Sequence, residues 1–212
     1  MQPRRGPHLA LLLLLAGCAA SPALRPDFAD AAALTALECT DPAAFELATV
    51  DGRACLALAR ASHYQPRFRS PLAMALLRPT FADCTLDVTV RQTSREYPHR
   101  DLILVFAWHD AEHFAYAHLA SQADANAHHV MLVDGADRRP VTTFRTDGVA
   151  WGDGWHRLRL QRHGDAVAVF FDDLERPVLR GVVPAGAGRV GVGSFDDTGL
   201  FTALEVRSGA PR

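Results

Sequence analysis

Histidine is the residue type with the most chemistry to offer in this chain. His109, His113, His118, His128 and His129 all fall between positions 109 and 129. An imidazole can act as a general base, ligate a metal or hydrogen-bond a sugar hydroxyl. Their spacing limits which can act together. If 113–119 is a strand, its side chains alternate between two faces. His113, Ala115, Ala117 and Leu119 then point one way, and Phe114, Tyr116 and His118 the other. His113 and His118 cannot share one site, so a three-histidine metal centre on this strand is disfavoured. Tyr116 and His118, joined by His129 or His128 from the next strand, can line one surface. The alternative is that these histidines face solvent or are satisfied in the core.

Two loops add polar groups. Asp134-Gly135-Ala136-Asp137-Arg138 follows an apolar run, and Arg138 is a candidate donor to an anion or a sugar. Asp-Gly is also ordinary turn chemistry. Asp196 and Asp197 are adjacent carboxylates on the tight loop Gly193–Gly199. A hard cation such as Ca2+ takes carboxylate and carbonyl oxygens from such loops; a solvated turn is the other reading. The sugar-binding candidates are therefore Tyr116, His118, His129 and Arg138, and the metal candidates Asp196 and Asp197.

The elements that must position these residues are strands. From Phe45 onward the pattern has period two, clearest in Cys84–Val90, Trp155–Gln161, Val167–Phe171 and Leu204–Arg207. Turn signals separate the runs: Asp51-Gly52, Asp134-Gly135, Asp147-Gly148, His163-Gly164-Asp165 and Thr198-Gly199. About a dozen short strands at this spacing predict one all-β antiparallel sandwich. No long helical pattern follows residue 40, and one short helix is expected over 28–37.

Composition narrows the function. The chain has 212 residues, 49% hydrophobic and 22% charged, with formal net charge −2. These are globular values, and no basic face points to nucleic acid. All 22 basic residues are Arg. Schiff-base chemistry and the P-loop lysine are therefore excluded. No Gly-x-Ser-x-Gly elbow is present. Gly188–Gly193 lies in a strand pattern with no helix after it, so it is not a phosphate loop.

The N-terminus carries an address. Arg4 and Arg5 precede an apolar run, His8–Ala16, too short to span a bilayer. This is the layout of a secretory signal peptide. Leu15-Ala16-Gly17-Cys18 resembles the lipobox of bacterial lipoproteins. The resemblance implies a signal peptide over 1–17, a lipid on Cys18, a tether over 18–40 and a folded domain over 41–212. It further implies a cell-envelope location, with Ala19 pointing to the outer membrane, facing the periplasm. Disulfides are permitted there. Cys39 and Cys55 flank one hairpin-like stretch and are the first-choice pair, with Cys84 a buried thiol. No cysteine spacing matches a zinc site.

Residues 45–207 resemble the concanavalin A-like, laminin-G-like jelly rolls of secreted bacterial proteins. The resemblance rests on ordered pieces: Arg78–Leu86, Leu104–Trp108 followed by His113–Leu119, Gly154–Leu160, Val169–Asp173 with Pro177, Gly188–Asp197 and Leu204–Val206. Within that group the pattern resembles the domains called family-16-like and 3-keto-disaccharide-hydrolase-like. The resemblance implies recognition of a glycan or an envelope partner on the concave sheet, and it supports a structural Ca2+ near the chain's end. Enzymatic hydrolysis or elimination on a glycoside or 3-keto sugar is a second expectation, and a purely adhesive module a third. The family-16 motif Glu-x-Asp-x-x-Glu is absent. The corresponding hairpin reads His113–His118, which argues against the paired-carboxylate mechanism.

Overall fold

A computed structural model of the chain describes residues 23–209. The expected signal peptide, Cys18 and the first part of the expected tether lie outside those residues. Fifteen strands are present among the described residues: β1 (Leu37–Cys39), β2 (Phe45–Val50), β3 (Arg53–Leu58), β4 (Ala73–Phe81), β5 (Cys84–Gln92), β6 (Asp101–Asp110), β7 (His113–Ala120), β8 (His129–Asp134), β9 (Arg139–Pro140), β10 (Thr142–Arg145), β11 (His156–His163), β12 (Ala166–Phe171), β13 (Leu179–Val182), β14 (Gly188–Ser194) and β15 (Gly199–Ser208). They form two antiparallel sheets, of order β1-β4-β14-β6-β7-β8-β9 and β10-β13-β12-β11-β5-β15-β3-β2. The protein is an all-β sandwich, as its strand pattern predicts. Asp51-Gly52 closes the β2–β3 hairpin with positive φ at both residues (51° and 72°), the geometry for which Asp-Gly is favoured.

The core lies between the sheets. Leu102, Leu104, Phe106, Ala115, Ala117 and Leu119 meet Leu86, Val88, Leu158, Leu160, Val167 and Val169. The seven-stranded sheet also buries much of its other face. Met74, Leu76, Ile103, Val105, Trp108, Phe114, Tyr116, Met131 and Val133 form a second apolar cluster, covered by Tyr64 and Phe68 from the 59–72 loop. Residues 102–108 of β6 therefore read as one unbroken apolar run, because both faces are dry. On β7 the alternation is as predicted: Phe114, Tyr116 and His118 leave the inter-sheet core, while Ala115, Ala117 and Leu119 enter it.

Two expectations need correction. The segment read as a tether over 18–40 belongs to the sandwich from Leu24 onward. Leu24 exchanges backbone hydrogen bonds of 2.9 Å with Val206. Phe28, Ala33 and Leu37 are buried in the main core, and β1 edges the seven-stranded sheet. Apolar side chains at wide spacing carried no strand or helix period, which hid this docking. The expected helix is a 3-10 segment, Ala31–Ala36, capped by Asp30. The Cys39–Cys55 disulfide does not form either: Cys39, Cys55 and Cys84 are all free thiols. Cys39 sits on β1 of one sheet and packs on the main core. Cys55 sits on β3 of the other sheet, among Ala57 and Leu200. Nearness in sequence was misleading because the chain changes sheets between them. Burial raises the Cys84 thiol to about 11 and the Cys39 thiol likewise to about 11.

Two positions expose the constraints of this packing to experiment. A Cβ on Gly193 of β14 would overlap the Ala73 carbonyl oxygen of the neighbouring strand. Gly193→Ala is expected to lose about 2–3 kcal/mol, read as a lower urea midpoint at unchanged slope. His128 is fully buried at the entry to β8 with φ 60°, its Nε2 3.0 Å from Thr146 Oγ1. Burial pushes its pKa down to about 4. The unfolded chain thus binds a proton near pH 6.5 that the folded chain refuses until about pH 4. Stability must fall as pH drops through that window, by up to about 3 kcal/mol. His128→Asn, which tolerates the positive φ, is expected to flatten this part of the stability–pH curve in denaturant titrations.

Candidate functional site

A carboxylate inside the molecule organises the site. Asp101 opens β6 and is 0% exposed. Its Oδ1 accepts from Ser194 Oγ at 2.6 Å, and its Oδ2 accepts from the Phe195 backbone N–H at 3.1 Å. His118 Nε2 lies 2.9 Å from Oδ2. Asp101 and His118 come together because β6 and β7 pair with Asp101 opposite Ala120 and Ile103 opposite His118. Period two then puts both side chains on the outer face of the seven-stranded sheet. On the other side of the imidazole, Arg138 Nη1 lies 3.4 Å from His118 Nδ1 and donates to Tyr116 Oη at 2.9 Å. A guanidinium can only donate. Nδ1 is therefore the acceptor, and Nε2 lies at ion-pair distance from Asp101 without a directed hydrogen bond.

The Arg138 guanidinium lies over the Phe195 ring, 4.1 Å from its centroid, and His118 stacks on the same residue at 5.9 Å. These groups border a small cavity of about 130 Å³, lined by Arg69, Tyr97, His99, His118, Asn126, Arg138, Phe195 and Asp196. It has room for several waters. That is enough to seat part of one sugar ring and far too little for a chain. A larger open groove of about 650 Å³ lies at the β10–β13 edge of the other sheet, beside Phe144, Phe171, Pro177 and Val178. Its exposed lining is mostly apolar, with Thr146, Asp173, Arg176 and Arg180 also bordering it, and it has no buried network behind it like that of Asp101. The small cavity is the better candidate despite its size.

Of the four predicted sugar-binding residues, the fold brings three together: Tyr116, His118 and Arg138. Tyr116 is fully buried beneath the cavity and supports Arg138 rather than facing a ligand. Burial pushes its phenol well above the usual range. His129 pairs with His118 in the β7–β8 register but turns to other work. Its Nδ1 is 2.9 Å from Thr142 Oγ1, and its Nε2 is 2.8 Å from the Asp124 carbonyl and 2.7 Å from Arg145 Nη1. With both nitrogens engaged, it does not line the cavity.

Asp196 and Asp197 do lie beside the site, and with Asp101 their oxygens come within 4.8 Å of one another. The set nonetheless does not suit Ca2+. Asp197 Oδ2 already accepts from Tyr97 Oη at 2.9 Å and from the Asp101 backbone N–H at 2.8 Å. The Asp101 oxygens are taken as described. Asp196, whose nearest donor is Tyr97 Oη at 3.5 Å, is the one carboxylate left open. Ca2+ needs six to eight oxygens. Burial first, and then the Asp101 charge, raise the Asp196 pKa; burial likewise raises that of Asp197. Asp197 works instead as a clamp joining the 195–198 loop to β6 and to Tyr97.

Sequence reasoning missed Asp101, Arg69, His99, Asn126, Phe195 and Tyr97. Asp101 alone left a trace, as a single carboxylate at the head of a strand apolar on both faces. The rest come from loops whose meeting no local pattern records.

No protein-family model and no curated protein sequence matches the chain. Its fold is shared with solved structures of low sequence identity. One is the carbohydrate-binding module CBM66 from Bacillus subtilis, 14% identical over 82% of this chain and 96% of that one, with a TM-score of 0.58. Another is a Bacillus subtilis protein of unknown function with a galectin-like fold, 13% identical over 89% of this chain and 96% of that one, TM-score 0.52. A third is xylan β-1,4-xylosidase from Bacillus halodurans C-125, 13% identical, where 79% of this chain aligns with 35% of that one at a TM-score of 0.51. The architecture is thus that of the jelly-roll and galectin-like sandwiches.

Proposed function

We propose that this protein recognises the end of a glycan in the cavity at His118 and Arg138. The observation that carries the reading is the cavity itself. It is small, bordered by side-chain donors and acceptors, and held rigid by the buried Asp101 network. Preorganised donors keep their geometry whether or not a ligand is present, which lowers the entropy lost on binding. The similarity in fold to a carbohydrate-binding module points the same way. His118 turns Nδ1 to Arg138 and Nε2 to Asp101, so neither ring nitrogen is free to take a proton from a bound sugar. Asp196 is the only carboxylate lining the cavity, so a paired-carboxylate mechanism has no second partner there.

The same proposal includes the envelope anchor. If Cys18 carries lipid, six residue steps separate it from Leu24, a reach of about 20 Å at most. Leu24 is bonded to Val206, near the far end of β15 from the 195–198 loop. Eight strand residues at about 3.3 Å each put the cavity roughly 25 Å from that point. A short anchor would therefore hold the cavity at the membrane-distal end, where a glycan end can reach it. Cys18→Ser is expected to abolish radiolabelled palmitate incorporation and release the protein from membranes. Labelling that persists in the variant would remove the anchor from the proposal.

Full-length protein in detergent, screened against a glycan panel by thermal shift and calorimetry, tests the binding reading. A saccharide should raise the melting temperature by mass action. Arg138→Ala should weaken that binding about tenfold or more, while Phe144→Ala on the other sheet leaves it unchanged. Millimolar Ca2+ should not move the melting temperature. Failure of every saccharide to bind would overturn the assignment.

A further inference from the structure

The charges around the cavity specify more than a sugar. Two arginines border it, Arg69 and Arg138, and the backbone holds them side by side. The Arg138 N–H donates to the Arg69 carbonyl at 3.1 Å, and Asp137 Oδ1 accepts from the Arg69 N–H at 2.9 Å. This ties the 67–69 and 136–138 segments together, and both arginines line the one cavity. Neither forms an ion pair with any described residue, although eleven other arginines of the fold do. The side-chain bonds of Arg138 to the protein all run through Nη1, to the neutral Tyr116 hydroxyl and to His118. Its Nη2 and Nε have no acceptor among the described residues. Its plane is fixed on the Phe195 ring. A half-buried guanidinium, fixed in plane with one edge unused and a second guanidinium beside it, is a fork preset for a planar anion.

Resting on the glycan-end reading, we infer that the cavity takes a sugar terminus bearing a single carboxylate, such as a uronic acid. The distribution of charge separates this from a phosphorylated sugar. Arg69 and Arg138 line the cavity together with Asp196, and the Asp101 and Asp197 carboxylates lie within 4.8 Å of Asp196. A single carboxylate can pair with the guanidiniums. A phosphate dianion brings a second negative charge against this carboxylate cluster. Asp196 and Asn126, which also line the cavity, remain as partners for ring hydroxyls. Neutral hexoses can use those partners but leave both guanidiniums without a counter-charge.

Full-length protein in detergent is titrated by calorimetry with glucuronic acid, galacturonic acid, the matching neutral hexoses and hexose phosphates. The expected result is uronate binding at least about tenfold tighter than the neutral sugar, with the difference shrinking as salt rises. Arg69→Gln and Arg138→Gln should each remove the preference for the acid. Asp196→Asn should relax discrimination against the phosphates. Arg69 is exposed, so its variant should melt like the parent and separates loss of charge from loss of fold. Equal binding of hexose and uronate would overturn the carboxylate inference and leave the glycan-end reading standing. Tighter binding of the phosphates would overturn it as well. Absence of binding by every sugar would overturn both. An acid preference that survives both arginine variants would place the anion elsewhere and overturn the inference.

Discussion

Asp101 is a charge placed where water cannot reach it, and much of the site follows from how that charge is accommodated. An isolated carboxylate in an apolar interior is prohibitively costly. Here Ser194, the Phe195 N–H and His118 surround it, and its own N–H is held by Asp197. The carboxylate and its partners come from four parts of the chain: Asp101 from the start of β6, Ser194 from the end of β14, His118 from β7, and Phe195 and Asp197 from the loop before β15. Removing one partner from such a network typically costs about 3–5 kcal/mol, because the remaining charge is left uncompensated. The network therefore fixes the relative positions of three strands and one loop at the rim of the sheet. Arg138 and Phe195 are then placed by contact with groups that cannot move.

The seven-stranded sheet explains why this rim is closed into a cavity rather than left as an open face. A sheet with one wet face shows alternation, but β6 is apolar at every position from Leu102 to Trp108. The second apolar cluster requires a cover, and the 59–72 loop supplies it through Tyr64 and Phe68. The same loop carries Arg69 to the edge of the cover. The residue that meets Arg138 thus arrives as a consequence of hydrophobic burial next door. The two rim loops are joined by one backbone hydrogen bond and one from the Arg69 N–H to the Asp137 carboxylate, while the guanidiniums of Arg69 and Arg138 are left unpaired by any described carboxylate.

The fold was legible because period two and Asp-Gly turns are local signals. Strand alternation alone placed Tyr116 and His118 on one face and His113 on the other. It left His129 or His128 as the partner from the next strand; the register pairs His129 with His118, yet Thr142, Arg145 and the Asp124 carbonyl occupy its ring. Likewise Asp196 and Asp197 read as cation ligands until their donors were visible: Tyr97 and the Asp101 N–H lie about 100 residues away in sequence. Cys39 and Cys55 failed as a pair for the converse reason, since short separation in sequence hid a change of sheet. In each case the missing information is long-range partnership, which residue type and spacing do not encode.

The arginine-only composition acquires a structural meaning at the cavity. A lysine at position 138 would present a compact charge on a flexible stem, with no plane to stack on Phe195 and no unused edge. The guanidinium can bond Tyr116 and His118 through one nitrogen, rest on the ring, and still offer its remaining donors outward. His118 then sees a fixed donor on one side and a fixed carboxylate on the other. The cavity is consequently rigid in shape and in the placement of its charges, the condition under which so small a volume could discriminate between the sugar ends proposed for it.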